Sequence, residues 1–239
     1  MNALTTLITV LPWYEWLALG WFFAAWVGYA RFARARAAVR PSILASTNRV
    51  RREWMLQSTY REVRVVDGVV AQSLGASPSF FASTSILVIG GLLAVLGTAD
   101  KATELVKELP FVARTSVLVF DLKLILLLMV FIYAFFRFTW SLRQYSFGAL
   151  LIGAMPEPKQ FDAGQASREA YARRAGGVMA LAAETFNDGL RAYYLSFALI
   201  GWFFSPLVFA LATAFVVWVL YQREFRSEVL DVLNGSLEG

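Results

Sequence analysis

The sequence lacks the two residue types most often used in catalytic and metal sites, since its 239 residues contain no cysteine and no histidine. Without cysteine the chain cannot form a disulfide or hold an iron–sulfur cluster. Without histidine it has no imidazole for a catalytic triad, a haem ligand or a proton relay. Zinc sites built from these ligands are excluded as well. We therefore expect no enzymatic activity, no cofactor and no metal site.

Charged residues are scarce too. They make up 16% of the chain, against 58% hydrophobic residues, and the mean hydropathy is +0.56. Soluble domains average about 25% charged and 45–50% apolar residues. The charges also cluster between apolar runs, which indicates an integral membrane protein. The net charge of +5 is better explained by membrane topology than by nucleic acid. We expect membrane lipids as partners and no nucleic acid.

The most apolar stretch is residues 120–140, FDLKLILLLMVFIYAFFRFTW. Its centre, residues 124–136, holds thirteen apolar residues between Lys123 and Arg137. As a helix, the stretch from Asp121 to Arg137 spans about 24 Å, close to a hydrocarbon core of about 30 Å. No proline follows until Pro156, so the same helix is predicted to continue to residue 154.

Three similar stretches complete an all-α, integral membrane four-helix bundle in a single domain, residues 1–239. The predicted crossings are residues 11–32, 80–97, 116–140 and 194–221, and Pro206 predicts a kink in the last. Cytoplasmic helical extensions are predicted from residues 33–76 and 141–193. Trp13, Tyr14 and Trp16 form an aromatic belt at the start of the first crossing.

The polar connections carry their own helix signals. Residues 43–74 predict one long amphipathic helix, in which Arg64 and Asp67 form an ion pair on the solvent side. Gly75 is predicted to end it, and Ser77 and Pro78 to start the next helix. Residues 98–110 predict one short helix. A helix over residues 168–185 contains a predicted weak point at residues 176–177.

Lysine and arginine are unevenly distributed among these connections. The first and third connections carry fifteen, whereas the second connection and the two tails carry five. The positive-inside rule therefore predicts a multi-pass protein of the inner (plasma) membrane with both termini on the non-cytoplasmic side. Residues 1–11 contain no lysine or arginine, so we expect no cleaved signal peptide.

Four ionisable residues at the membrane edges are candidates for a pore or polar cluster: Glu15, Asp121, Lys123 and Arg137. Lys123 and Arg137 are fourteen residues apart, which places them on one helix face with an offset of about 40°. Two cations on one face could line an anion path. Alternatively, Lys123 pairs with Glu15 or Asp121, and Arg137 extends to the interface.

Small residues recur at helical spacing in two crossings: Gly20, Ala24 and Gly28 in the first, and Ser83, Gly90, Ala94 and Gly97 in the second. Such stripes let helix backbones approach closely. Packing within the bundle and packing across a subunit boundary explain them equally well. Farther on, residues 186–194, FNDGLRAYY, enter the fourth crossing. Asn187 and Asp188 are predicted to bond helix backbone or Arg143.

The chain resembles the bacterial and plant multi-spanning membrane proteins that are grouped only as a domain of unknown function. The resemblance rests on residues 80–97 (FFASTSILVIGGLLAVLG), residues 121–156 (DLKLILLLMVFIYAFFRFTWSLRQYSFGALLIGAMP) and residues 186–194. It implies four spans with a sizeable polar connection. It implies no activity, cofactor or substrate.

Three functions are compatible with these patterns. The first is a homo-oligomeric pore or channel, which would favour anions if Lys123 and Arg137 line it. The second is an accessory or assembly subunit of a larger membrane complex. A membrane enzyme acting on lipids is disfavoured because the chain has no histidine or cysteine.

Overall fold

The computed structural model describes residues 11–37, 39–98 and 117–235, and these fold as helices with no strand among them. Three of the described segments are long and apolar enough to cross a membrane: Val65–Leu96, Val117–Gly153 and Pro206–Gly235. The protein is thus an all-α membrane protein. The described helices are α1 (Trp13–Ala37), α2 (Ile43–Ser58), α3 (Val65–Leu96), α4 (Val117–Gly153), α5 (Pro158–Asp162), α6 (Arg168–Phe204), α7 (Pro206–Phe225) and α8 (Glu228–Gly235).

The chain divides into two compact units, where the sequence predicted a single domain. The first unit comprises the described parts of Met1–Ala35, Ser85–Ala134 and Leu190–Tyr221. Its buried apolar side chains include Ala18, Phe22, Leu124, Leu127, Leu195, Leu199, Trp202 and Phe209. The ring of Phe209 stacks on Trp202 at 5.3 Å and lies 5.2 Å from Phe22. Helices α1, α6 and α7 therefore share one aromatic core.

The second unit comprises the described parts of Arg36–Thr84, Phe135–Gly189 and Gln222–Gly239. It overlaps the residues predicted for the helical extensions and adds the C-terminal helix α8. Its core is formed by Met55, Ala71, Tyr145, Ile152, Met155, Phe161, Tyr171, Ala172, Ala175, Met179 and Ala182. These side chains come from α2 to α6, so the unit has a hydrophobic core of its own.

The long amphipathic helix predicted for residues 43–74 is instead two helices, because α2 ends at Ser58 and α3 begins at Val65. Arg64 in the connection donates to the backbone carbonyls of Ser58 (3.1 Å), Met155 (3.1 Å) and Pro156 (2.8 Å). Two of these partners are about ninety residues away, so the local pattern could not reveal them.

Helix α3 then continues through Gly75 and Pro78, where the sequence predicted an end and a new start. Pro78 is fully buried. Its missing N–H costs one helical hydrogen bond, which packing and the length of the apolar helix outweigh. The weak point predicted at residues 176–177 is likewise absent, since α6 passes through it without interruption.

The segment predicted as one kinked crossing, residues 194–221, contains a turn. Helix α6 ends at Phe204 and α7 begins at Pro206, with the Ser205 hydroxyl accepting from Val208 N at 3.1 Å as an N-cap. A Cβ placed on Gly201 would lie 3.5 Å from Ala212 Cβ. Eleven residues of straight helix would separate the two positions by about 16 Å. Helices α6 and α7 therefore fold back on each other as a hairpin.

Other predictions fall largely outside the described residues. They are the short helix at residues 98–110, the start of the third crossing at residue 116, and the expectation of no cleaved signal peptide at residues 1–11. The predicted extension of the third crossing to residue 154 agrees with α4, which ends at Gly153.

Candidate functional site

The candidate site in the first unit is centred on Lys123 of α4, which is 1% exposed. Its ammonium Nζ lies 3.5 Å from Glu15 Oε1 and donates to the backbone carbonyl of Trp202 at 2.8 Å. The same Nζ stands 5.1 Å from the centre of the Trp202 ring. The indole N–H of Trp202 donates to the second oxygen of Glu15, which is itself buried. Three helices thus converge on one buried ion pair.

The carbonyl that Lys123 binds is available because of the break after α6. In a continuous helix, the carbonyl of residue 202 accepts from the N–H of residue 206, but Pro206 has no N–H. The preceding carbonyl, that of Gly201, still accepts from Ser205 N at 3.2 Å. Lys123 therefore satisfies a backbone acceptor that would otherwise be buried without a donor.

The local charge of this cluster is balanced, since one ammonium faces one carboxylate. Removing such a pair from water is costly unless the remaining polar atoms also find partners, and here both carboxylate oxygens and the ammonium do. The cluster offers neither a nucleophile beside a base nor a set of metal ligands. Its chemistry is that of a structural ion pair joining α1, α4 and α6.

The structure brings together Glu15 and Lys123 but not the other two candidate residues. Asp121 is partly buried, and its Oδ1 has no hydrogen-bond partner within the described part of the chain. Arg137, in the second unit, forms an ion pair with Asp188. Asp188 thus pairs with Arg137 and not with Arg143, which is exposed over the ring of Phe147 at 5.4 Å.

All seven small residues predicted for helix packing are exposed: Gly20, Ala24 and Gly28 on α1, and Ser83, Gly90, Ala94 and Gly97 on α3. A Cβ added to Gly20, Gly28 or Gly90 would meet nothing within 4 Å among the described residues. In the most apolar stretch of α3 only 11% of the residues are buried. The small residues of α3 therefore form an open face in the single chain.

Sequence reasoning missed a polar network in the second unit. Arg51 donates to Asn48 Oδ1 at 2.8 Å, and Asn48 Nδ2 donates to Glu184 Oε1 at 3.1 Å. Burial lowers the pKa of the Arg51 guanidinium, while the neighbouring Tyr145 and Glu184 oppose that shift. The arginines of α2 look solvated in the sequence, and no local pattern marks Arg51 as different from its neighbours.

The ion pair predicted between Arg64 and Asp67 is also replaced by other contacts. Asp67 is fully buried and accepts from Trp54 Nε1 at 2.6 Å and from the Arg61 guanidinium. Arg168 holds the neighbouring turn, because its guanidinium lies 4.2 Å from the Tyr60 ring centre and 5.0 Å from that of Phe161. These arginines order the connections of the second unit.

Comparison with known families gives a match over most of the chain. The family described as "Protein of unknown function, DUF599" matches residues 17–229, which is most of the chain. The chain belongs to this family. The matched region of this DUF599 protein contains Lys123 and Trp202 and begins two residues after Glu15. No curated protein and no solved structure matches the chain. Family membership therefore brings no known activity to the Lys123 cluster.

Proposed function

We propose that this DUF599 protein is a homo-oligomeric, multi-pass pore of the inner membrane. Its copies would meet along the α3 stripe, defined as Ser83, Gly90, Ala94 and Gly97. The observation that carries the proposal is the exposure of this stripe on an apolar helix. Lipid tails are as apolar as leucine, so transmembrane helices associate through close backbone approach at small residues.

The residues around the stripe support helix association. Ile86, Leu87 and Leu93 are exposed and flank the small residues within about 80° of Ser83 round the helix. They would supply van der Waals contact on both sides of a close helix crossing. Another face is used within the chain, since Ser85, about 160° from Ser83 round the helix, and Ala82, about 100° from it, are buried. Helix α3 therefore has one side that packs within its own chain and one side that is open to a partner.

We propose this pore without a fixed preference for anions. Both cations that could have lined it lie against a carboxylate, Lys123 against Glu15 and Arg137 against Asp188. A paired cation contributes little net positive potential to a lumen. Because both cations are paired, we do not propose anion selectivity. The exposed α3 stripe still supports self-association.

A second candidate is an accessory or assembly subunit of a larger membrane complex. The same pairing favours it, because a subunit that only packs against others needs no charged lumen. The α3 stripe would then receive a helix from a foreign subunit. Within the described residues no catalytic constellation stands against either candidate, and we propose that the protein is not an enzyme.

Native mass spectrometry of the protein purified from its membrane distinguishes the two. We expect a homo-oligomer for the wild type and a shift to monomer for Gly90→Leu, because a bulky side chain on the stripe separates the backbones. Leu92→Ala is the matched control, since Leu92 lies about 160° from Gly90 round the helix. A wild-type monomer carrying foreign subunits would establish the second candidate instead.

Planar bilayer recordings then test the pore itself. We expect conductance from the wild-type oligomer and none from Gly90→Leu at the same protein density. A stable homo-oligomer that conducts no ion under any applied voltage would refute the pore and leave self-assembly alone.

A further inference from the structure

We propose that the groove between α1 and α7 in the first unit binds one anionic phospholipid, with an acyl chain in the groove and the phosphate at Arg31. The groove has a volume of about 540 Å³. It is lined by Trp21, Ala24, Ala25, Gly28, Tyr29, Phe32, Ala214, Val217, Trp218 and Tyr221. This inference is independent of the proposed pore, which uses α3.

Two contacts between α1 and α7 define the ends of the groove. At one end Trp21 Nε1 donates to the backbone carbonyl of Ala210 at 3.2 Å. At the other end the rings of Phe32 and Tyr221 lie 6.2 Å apart. Residues 21 and 32 are eleven residues apart, so the groove is about 16 Å long.

Between these contacts the facing sides of the two helices carry small residues, which leave the space between the helices unfilled. Ala24, Ala25 and Gly28 face the groove from α1, and Ala214 faces it from α7. A Cβ added to Gly28 would meet nothing within 4 Å among the described residues. The space is therefore available to a molecule from outside the described chain.

The dimensions favour an acyl chain over a helix from a second copy. A volume of about 540 Å³ spread over about 16 Å makes the groove long and narrow. An α-helix with its side chains is about 10–12 Å across. The walls carry no charged residue, and they offer aromatic rings and aliphatic carbons for dispersion contact.

Arg31 supplies the charge complementarity that selects the head group. It follows Gly28 by three residues and lies about 20° from Ala24 round the helix, so it stands at the edge of the groove face of α1, where its long side chain can reach the end of the groove. Its side chain is exposed. Arginine binds phosphate oxygens with two parallel hydrogen bonds, and basic residues next to a crossing attract anionic lipids. A zwitterionic lipid would instead bring a second cation towards Arg31.

The test is native mass spectrometry of the full-length protein after exchange into phosphatidylglycerol or phosphatidylcholine with the same acyl chains. We expect the wild type to retain phosphatidylglycerol about fivefold more than phosphatidylcholine. Arg31→Gln should abolish this preference, whereas Arg40→Gln, an exposed arginine outside the groove, should keep it. Gly28→Leu should reduce the retention of both lipids, whereas Val27→Leu, next to it and outside the lining, should not.

Three results would overturn the proposal. They are equal retention of the two lipids by the wild type, unchanged retention in Gly28→Leu, and an efficient disulfide between copies carrying Gly28→Cys, which would place a second copy in the groove. If Gly28→Leu loses its cooperative thermal transition, Ala214→Leu fills the same space from α7 and gives the same comparison. The lipid measurements do not depend on self-association through α3. They can therefore be interpreted whether or not Gly90→Leu abolishes the oligomers.

Discussion

Lys123 supplies the hydrogen bond that Pro206 cannot give. Proline interrupts the backbone pattern of α6 and α7, and the carbonyl of Trp202 loses its usual donor. The Lys123 ammonium takes that place at 2.8 Å while its charge is balanced by Glu15. One buried cation therefore stabilises both the turn between two helices and their contact with α1.

Replacing Lys123 by methionine should destabilise the protein strongly. The Glu15 carboxylate would stay buried without its cation, and the Trp202 carbonyl would lose its donor. Removing one partner of a buried ion pair costs about 3–5 kcal/mol. We expect Lys123→Met to lower the free energy of unfolding by that amount in detergent denaturation, with a matching fall in Tm.

The double variant Glu15→Gln, Lys123→Met provides the control. Because the glutamine is neutral, it should recover part of the loss, and the two substitutions should be non-additive by about 0.5–3 kcal/mol. Strictly additive losses would show that the two side chains act independently.

Two Ser-Pro pairs show what the sequence could not decide. Ser77-Pro78 and Ser205-Pro206 carry the same N-cap and first-position signature. The first lies inside continuous α3, whereas the second begins α7 after a tight turn. Because Pro206 has no N–H, the Trp202 carbonyl accepts from Lys123 instead, and Gly201 allows α7 to fold back closely. Those contacts come from distant parts of the chain, so identical local signals give different structures.

The long uninterrupted apolar run was the most reliable signal, because the extent of α4 follows from that run and the position of Pro156. Pairing was harder to predict. The sequence indicates two partners for Lys123, Glu15 and Asp121, of which the structure shows Glu15. Arg137 and Asp188, in contrast, are fifty-one residues apart and nothing local links them. The connection after α2 depends on Arg64 binding carbonyls beyond α4. Only tertiary contacts specify such features.

The hairpin of α6 and α7 changes the expected position of the C-terminal residues. In the second unit Glu224 Oε1 accepts from Leu44 N at 3.2 Å, and Asn234 Oδ1 accepts from the Ser46 hydroxyl at 3.2 Å. The last turn of α7 and helix α8 thus pack on α2, which belongs to an arginine-rich connection. We therefore expect the C-terminal residues on the cytoplasmic side, contrary to the sequence-based expectation.

Cysteine labelling in intact cells tests this topology. Cysteine at Val232, which is 72% exposed, and at the exposed Ala163 should both resist a membrane-impermeant maleimide. Cysteine at Thr98, at the far end of α3, should react. Labelling at Val232 together with protection at Ala163 would restore the original prediction of both termini outside.

Two glycines in the second unit offer a matched test of rigid against flexible packing. A Cβ on Gly189 would lie 2.6 Å from Cε1 of Phe138, and a Cβ on Gly148 would lie 2.6 Å from Cε of Met179. Phe138 is held between two rings, Phe81 at 5.3 Å and Phe186 at 5.6 Å, whereas a methionine tip can rotate away. Alanine also gains about 1 kcal/mol of helix propensity over glycine.

We therefore expect Gly189→Ala to destabilise the protein by about 1–3 kcal/mol and Gly148→Ala to change its stability by less than about 1 kcal/mol. Thermal unfolding of the two variants under identical detergent conditions measures the difference. Because both added methyl groups start equally close to a neighbour, the difference isolates the freedom of that neighbour to move. Equal losses of stability would mean that Met179 is as constrained in its core as Phe138 is between its rings.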